Sequence, residues 1–287
     1  MINEKFARFG TVHQTSWDGR AAGNFICGGA GAALLAIAVL TSWPTAPDWR
    51  LLVLALALIG AGLAFVWTEI GRPWRAFNVL FHPQTSWMTR EAFVAGLIAV
   101  LVFATIATGM AATAYAAALA GLLFLYCQGR ILRAAKGIPA WREPSIVRLI
   151  VSTGLVEGLA LLILADLAIG AARPNMPAAL LLLAVLRFGT WWRYRSRMLG
   201  SDAPRSTRTT LAVVHRALLA GTALPVLACG AAIAVPGAAA AGSAVAALSA
   251  LGAGWYFKYL LITRAAQVQG YALGNKLRRG HPLAAQR

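Results

Sequence analysis

Charged residues are scarce in this sequence, and acidic residues are the rarest of them. Of the 287 residues, 12% are charged, which is about half the share found in an ordinary soluble domain. Nine Asp and Glu residues stand against 26 Lys and Arg, while 59% of the chain is hydrophobic and the mean hydropathy is +0.68. A soluble protein of this length needs more polar surface, so the composition excludes a soluble globular domain and predicts an integral membrane protein.

Cysteine and histidine are also too few, and too dispersed, for most metal sites. Cys27, Cys127 and Cys229 lie in separate apolar runs without a Cys-x-x-Cys pair, so they carry no zinc or iron–sulfur signature and are expected to be buried apolar residues. A haem b needs two axial histidines on facing helices. Only one of the four histidines lies in an apolar stretch, so no haem is expected; they are His13, His82, His215 and His281.

Eight apolar stretches are long enough to cross the hydrocarbon core, which takes about 20 helical residues. They predict an all-α, polytopic membrane bundle of eight transmembrane helices, with hairpins between the third and fourth and between the seventh and eighth. The first 20 residues lack an apolar core, so we expect no cleavable signal peptide. The predicted spans are 20–42, 50–69, 91–111, 113–133, 146–170, 176–192, 209–234 and 239–262.

The basic residues predict the orientation of this bundle. With eight spans both termini share one side, and that side receives every Lys and Arg except Arg50 and Arg173. The positive-inside rule places that side in the cytoplasm, which predicts a multi-pass protein of the bacterial inner membrane. Some of these charges could instead dock an acidic partner subunit. The expected division is a cytoplasmic segment (1–19), an eight-helix domain (20–264) and a basic cytoplasmic tail (265–287).

Within the first predicted span, the stretch from Ala21 to Ala33 is crowded with small residues. Small residues allow helices to approach closely in lipid, so tight helix packing is one interpretation. The alternative is a smooth wall against a flat ligand. The polar amide of Asn24 lies about one turn inside the boundary, after Trp17 and Asp18, and Trp17 alone is typical of an interfacial anchor.

Two carboxylates are predicted at the same edge of the membrane. Glu69 ends the second span, where the helix dipole disfavours a carboxylate, and this favours a functional role. Glu91 opens the third span, where a carboxylate also has an ordinary structural role at a helix N-terminus and where Thr89 is a candidate cap.

The segments around these carboxylates carry a resemblance to a known family. Four segments resemble motifs of the membrane anchor subunit of the dimethyl sulfoxide reductase (molybdopterin oxidoreductase) family. They are Ile70-Gly71-Arg72-Pro73-Trp74-Arg75-Ala76-Phe77-Asn78, Ser86 to Glu91, Gln128 to Ile131, and Ile138 to Trp141. The motifs cover about a fifth of the chain. Within the family, residues 14–25 look most like the membrane subunit of phenylacetyl-CoA:acceptor oxidoreductase, and an anchor of a cytoplasmic sulfite dehydrogenase is the alternative.

The resemblance implies an anchor that exchanges electrons between an iron–sulfur partner subunit and membrane quinone, either menaquinone or ubiquinone. A molybdopterin catalytic subunit and the iron–sulfur subunit would dock on the cytoplasmic face, and only those partners would carry metal; alone, the chain would have no catalytic activity. Glu91 matches the family's quinol-linked glutamate, whereas Glu69 stands where the family has a histidine. Further residues would shape the quinone site or dock the partner: Trp17, Asp18, Asn24, Arg75 and Arg130.

Glu157 and Asp166 lie inside the fifth predicted span, where ionisable residues are costly and are usually functional. They are nine residues apart and do not share one helix face. A proton path is one interpretation, and hydrogen-bonded contacts between helices are the other. A coupled secondary transporter is the competing class of function. The basic, aromatic segment 187–208 lies beside a membrane, so it favours lipid headgroups or an acidic partner over nucleic acid.

Overall fold

A computed structural model describes residues 9–45, 47–69, 73–201, 203–235 and 237–271. These residues form an all-α bundle with one small antiparallel sheet of two strands, β1 (Phe9–His13) and β2 (Gln267–Tyr271). Short helical turns lie at Pro73–Phe81 and Pro139–Arg142. The long helices are α1 (Gly19–Ser42), α2 (Trp49–Glu69), α3 (Trp87–Thr108), α4 (Ala111–Ala134), α5 (Ile146–Ala168), α6 (Met176–Leu199), α7 (Arg205–Ala234) and α8 (Ala239–Thr263).

In the part of the chain that the structure describes, seven helices are long and apolar enough to cross a membrane. Each of the seven overlaps one of the predicted stretches, so the chain is a multi-pass helical membrane protein. The remaining long helix, α6, forms over the predicted sixth stretch but is not among the seven helices that are apolar enough to span a membrane. Its second half is strongly basic, which lowers its hydropathy; the residues responsible are Arg187, Arg193, Arg195 and Arg197.

Helix α1 is the central element of the bundle and packs against α2, α4 and α5. Its small residues let these neighbours approach at backbone distance. A Cβ at Gly31 would lie 2.6 Å from the Ala55 carbonyl oxygen, and one at Gly158 of α5 would lie 2.5 Å from the Ala33 backbone. The tight-packing interpretation of the small-residue stretch is therefore correct.

The two predicted hairpins, α3–α4 and α7–α8, are both present as closely packed pairs. The first turns in two residues because Gly109 ends α3 with a φ of 67°, a conformation that glycine adopts without strain. Helix α3 starts at Trp87, earlier than predicted, so Glu91 lies in its second turn. Its N-cap is Ser86, not Thr89 as expected; the Thr89 hydroxyl instead donates to the Val79 carbonyl.

The two strands lie on one face of the bundle, which we call the terminal face. Strand β1 pairs with β2 from Phe9 opposite Tyr271 to His13 opposite Gln267. The Gln14 amide continues the connection by donating to the Ile262 carbonyl at 3.2 Å, and Trp141 Nε1 donates to Leu261 at 3.0 Å. These bonds join the start of α1, the turn before α5 and the end of α8. The opposite face carries the α1–α2, α3–α4, α5–α6 and α7–α8 connections.

Candidate functional site

A cavity of about 30 Å³ lies inside the terminal face, between α1, α2, α3 and α4. Four of the predicted quinone-site residues line it, namely Trp17, Asn24, Glu69 and Glu91. The remaining wall is apolar and consists of Ala21, Phe25, Val66, Met88 and Ile131. A larger open depression of about 420 Å³ lies at the opposite face beside Asp48 and Arg50, away from every predicted site residue.

The start of α1 fixes the position of Glu69. Asp18 caps α1 by accepting a hydrogen bond from the Arg20 backbone at 2.7 Å, and the Arg20 guanidinium donates to the Thr68 carbonyl at 2.7 Å. The first turn of α1 is thereby tied to the last turn of α2. Asp18 itself is exposed and pairs with Arg20, and these hydrogen bonds lower the pKa of its carboxyl. Asp18 thus holds the first turn of α1 in place without lining the cavity.

Asn24 and Glu91 connect α1 to α3 beside the cavity. The Asn24 amide donates to Glu91 Oε1 at 3.4 Å, and both side chains are buried. Gly62 of α2 leaves the room for this amide, because a Cβ there would lie 3.0 Å from Asn24 Oδ1. Asn24 Oδ1 and Glu69 Oε1 are buried and accept no hydrogen bond from the described residues, so both oxygens retain the capacity to accept one.

Residues Asn24–Gly28 form a π-helical turn within α1. Such a turn changes the backbone hydrogen-bond ladder, which leaves carbonyl groups for other donors. Gln128 Nε2 of α4 donates to the Asn24 carbonyl at 3.1 Å, and Lys258 Nζ of α8 donates to the Phe25 carbonyl at 2.7 Å. Hydropathy patterns gave no sign of this turn.

Lys258 also forms an ion pair with Glu157 of α5, at 2.5 Å, and both side chains are fully buried. The sequence indicated no partner for Glu157, and Lys258 counted as a charge of the cytoplasmic side. The structure places it inside the bundle. Arg187 of α6 is also fully buried and donates to the Ala250 and Gly221 carbonyls at 2.8 and 3.0 Å. Arg187 lies within electrostatic range of Glu157.

Asp166 lies toward the opposite face and pairs with Arg173 at 3.1 Å. Arg173 also donates to the Thr41 hydroxyl at 2.7 Å, so this pair connects α5 with the end of α1. Nine helical residues separate Asp166 from Glu157 by about 13 Å. Within the described segments, no hydrogen bond joins these two acids.

Arg130 lies outside the cavity lining. The Arg130 guanidinium carbon lies 4.2 Å from the centroid of the Trp87 ring, and the Arg90 guanidinium carbon also lies 4.2 Å from that centroid. The two cations and the indole form a partly exposed cluster on the terminal face, a position suited to contact with an acidic surface. Arg75 lies in the turn Pro73–Phe81, and its side chain is outside the described residues.

The cavity offers a distinct set of chemical groups. Two carboxylates and one amide in the lining can accept or donate hydrogen bonds, while the other lining side chains are aromatic or aliphatic. This combination suits a flat apolar ring that carries polar oxygen atoms, and the carboxylates can exchange protons with it.

No protein-family model matches this sequence, and no curated protein is significantly similar to it. The fold and the site therefore define a class: a multi-pass helical membrane protein with a carboxylate-lined cavity inside one face.

Proposed function

We propose that this chain is the membrane anchor and quinone-reactive subunit of a molybdenum and iron–sulfur oxidoreductase complex. The observation that carries the proposal is the cavity on the terminal face, where Glu69, Glu91, Asn24 and Trp17 converge. These residues come from separate segments of the chain, and the resemblance of the sequence to such anchors matches Glu91 to their quinol-linked glutamate, while Glu69 stands where they have a histidine. The basic terminal face is the docking surface in this proposal.

A bound quinol would supply two electrons and two protons, and a quinone would accept them. Glu91 is buried next to the cavity and is positioned to exchange a proton with a ring oxygen, while Asn24 holds its carboxylate in place. Glu69 provides a second acceptor with one unpaired oxygen. A cavity of about 30 Å³ is large enough for about one water molecule but not for a ring. Ring binding therefore requires it to widen, and Met88, 37% exposed, forms its most accessible wall.

The finer assignments rest on the sequence. In this proposal α6 also crosses the membrane, which brings the number of spans to eight, and both termini are cytoplasmic. The iron–sulfur and molybdopterin subunits dock on the terminal face. The resemblance of residues 14–25 makes phenylacetyl-CoA the proposed substrate of the catalytic partner, with sulfite as the alternative. The membrane is the bacterial cytoplasmic membrane.

A coupled transporter is the second candidate function, and one observation favours it. Three ionisable side chains are buried in the interior of the bundle, where transporters bind their coupling ions; they are Glu157, Lys258 and Arg187. The cavity at Glu91 has no evident role in that mechanism, so the redox anchor explains more of the structure.

The test is to isolate the protein from its native membrane in mild detergent and to measure molybdenum, tungsten and iron together with the co-purifying subunits. A photoactivatable quinone analogue is then added to the same preparation, and the labelled peptides are mapped. The proposal predicts two metal-containing partners and labelling near Met88, with competition by unlabelled quinone. A metal-free chain without partners from an intact preparation, or labelling that competitor does not reduce, would contradict it.

A further inference from the structure

Two arginines share one tryptophan ring at the edge of the terminal face. Arg90 lies near the start of α3 and Arg130 lies about one turn before the end of α4, and each guanidinium carbon is 4.2 Å from the centroid of the Trp87 ring. The Tyr126 ring meets the Trp87 ring edge-on with centroids 5.7 Å apart, and its hydroxyl accepts a hydrogen bond from Arg130 at 2.5 Å. We call Trp87, Arg90, Tyr126 and Arg130 the arginine cluster.

Both guanidinium groups keep donor capacity that the described residues do not use. Arg90 donates through Nε and Nη2 to the Pro83 and Gln84 carbonyls, which leaves one guanidinium nitrogen without an acceptor among these residues. Arg130 donates through Nη1 to Tyr126, while its Nε is buried and has no acceptor there. In the described parts of the chain, neither arginine forms an ion pair. The arginine cluster therefore carries two positive charges that no carboxylate of these parts neutralises.

Exposed apolar side chains continue from each arginine into the membrane-spanning part of its helix. On α4 they share the face of Arg130 at spacings of three and four residues; they are Leu119, Leu123 and Tyr126. On α3 they follow Arg90 at the same spacings; they are Phe93 and Leu97. The helix from Arg130 to Leu119 is about 16 Å long, close to the hydrocarbon thickness of one leaflet, about 15 Å. The arginine cluster thus lies at headgroup depth, above an apolar surface of about one acyl chain in length.

This arrangement fits an anionic phospholipid. A guanidinium group matches a phosphate because its N–H groups donate to two oxygen atoms at once. Tryptophan and tyrosine are enriched at the headgroup level of membranes, where the arginine cluster lies. A zwitterionic headgroup brings its own cation, which two arginines repel, so a headgroup with a net negative charge is favoured. An acidic protein surface would match the arginines alone, whereas a phospholipid also matches the apolar side chains of α3 and α4.

We propose that the arginine cluster holds the phosphate of one anionic phospholipid whose acyl chains lie along the exposed faces of α3 and α4. No covalent bond is made or broken in this binding. The site goes beyond the proposed function, because it requires only that α3 and α4 cross the membrane. Both are among the seven helices that are long and apolar enough to do so.

Native mass spectrometry of the protein, purified in mild detergent with any partner that it retains, tests the proposal. The protein is titrated with dioleoyl phosphatidylglycerol or with dioleoyl phosphatidylcholine, which differ only in the headgroup. The wild type should bind one phosphatidylglycerol molecule at least about tenfold more tightly than one phosphatidylcholine molecule. Arg130→Gln should reduce this preference to about twofold or less, because it removes one of the two charges. It leaves the bonds from Arg90 to Pro83 and Gln84 in place.

Two further variants separate a built site from general surface charge. Arg133→Gln is the matched control, because Arg133 is exposed near the end of the same helix and lies outside the arginine cluster, and it should keep the full preference. Trp87→Leu retains both charges but removes the ring on which the guanidinium groups pack, so it should also weaken the preference, by at least about threefold.

Two results would overturn the proposal. Equal losses in Arg130→Gln and Arg133→Gln would show that surface charge in general attracts the lipid. A preference that survives both Arg130→Gln and Trp87→Leu would show that the arginine cluster does not hold it. In that second case, loss of a co-purifying subunit from Arg130→Gln would assign the arginine cluster to an acidic protein surface instead.

Discussion

Asn24 and Glu91 meet across α1 and α3 in a hydrogen bond of 3.4 Å between buried side chains. The contact joins the cavity to the π-helical turn, because the backbone of Asn24 belongs to that turn and its side chain reaches the carboxylate. Because Glu91 is buried, a substitution there changes the proposed proton acceptor and leaves the surface of the protein unchanged.

Glu91→Gln should lower quinone-coupled turnover of the assembled complex by at least about 100-fold, since a general base contributes about 10² to 10⁴. The amide has nearly the same shape as the carboxylate but cannot accept the quinol proton. Turnover with a soluble electron acceptor, which bypasses the membrane subunit, should stay unchanged. Glu143→Gln is the control, because that carboxylate lies on the same face but outside the cavity. Equal quinone-coupled rates in wild type and Glu91→Gln would remove Glu91 from the mechanism.

Gly158→Ala should destabilise the bundle. The added Cβ would lie 2.5 Å from the Ala33 backbone of α1, so two central helices must separate. Overpacking of this kind costs about 1–3 kcal/mol, which is measurable as a lower unfolding midpoint in detergent. Gly96→Ala is the matched control, because its Cβ meets nothing within 4 Å, and it should be neutral or slightly stabilising. If both variants unfold at the wild-type midpoint, the close approach of α1 and α5 at Gly158 does not limit stability, and the prediction is wrong.

Glu143 gives the protein a pH-dependent contribution to stability. Partial burial alone would raise the pKa of its carboxyl, but hydrogen bonds from Arg197 and Ser145 outweigh this effect and hold the pKa below the ordinary value of 4.5. The contribution is therefore complete above about pH 4.5 and is lost as the pH falls through the lower, folded-state value. Solvent screens the half-exposed Arg197, so its size should be at most about 1 kcal/mol.

The measurement is the unfolding midpoint of wild type and of Glu143→Gln at a series of pH values. The wild type should be the more stable protein at neutral pH, and the difference should shrink below about pH 4.5. A constant difference down to pH 3 or so would show that the effect of the substitution does not come from titration of Glu143.

Single cysteines test the proposed orientation of the bundle. Cys27, Cys127 and Cys229 are first replaced by alanine, and Thr45→Cys or Ser201→Cys is then added at exposed positions on opposite faces. A membrane-impermeant thiol reagent applied to spheroplasts should label Thr45→Cys, and Ser201→Cys only after permeabilisation. The reverse pattern would place the terminal face, and any partner docked there, outside the cytoplasm.

The helices were predictable because long apolar stretches bounded by charge and proline leave no other stable arrangement in lipid. The grouping of Glu69 and Glu91 at one edge followed from the same reasoning. The start of α3 was predicted late because Trp87, Thr89 and Arg90 are interfacial or polar, and they lower the hydropathy of the first helical turn. Ser86 rather than Thr89 caps the helix because the helix begins at Trp87, which makes Thr89 its third residue, and the Ser86 hydroxyl accepts a hydrogen bond from the Thr89 N–H.

Contacts between side chains that are far apart in the sequence were not predicted. Lys258 resembled a charge at a helix end, because it lies near the end of the predicted eighth span, yet its long side chain reaches inward to Glu157, 101 positions away. Arg187 was misplaced for the same reason. Arg130 was expected to shape the site or to dock the partner; it lies outside the cavity lining and packs on Trp87, a contact that motif comparison does not predict.

The central position of α1 also has a consequence for biosynthesis. This helix leaves the ribosome before every helix that surrounds it, yet the Asn24 and Phe25 carbonyls receive their donors from α4 and α8. The nascent α1 must wait in the translocon or the lipid while most of the chain is synthesised. Assembly of this protein is therefore completed only when α8 has been inserted and Lys258 has reached the earliest helix.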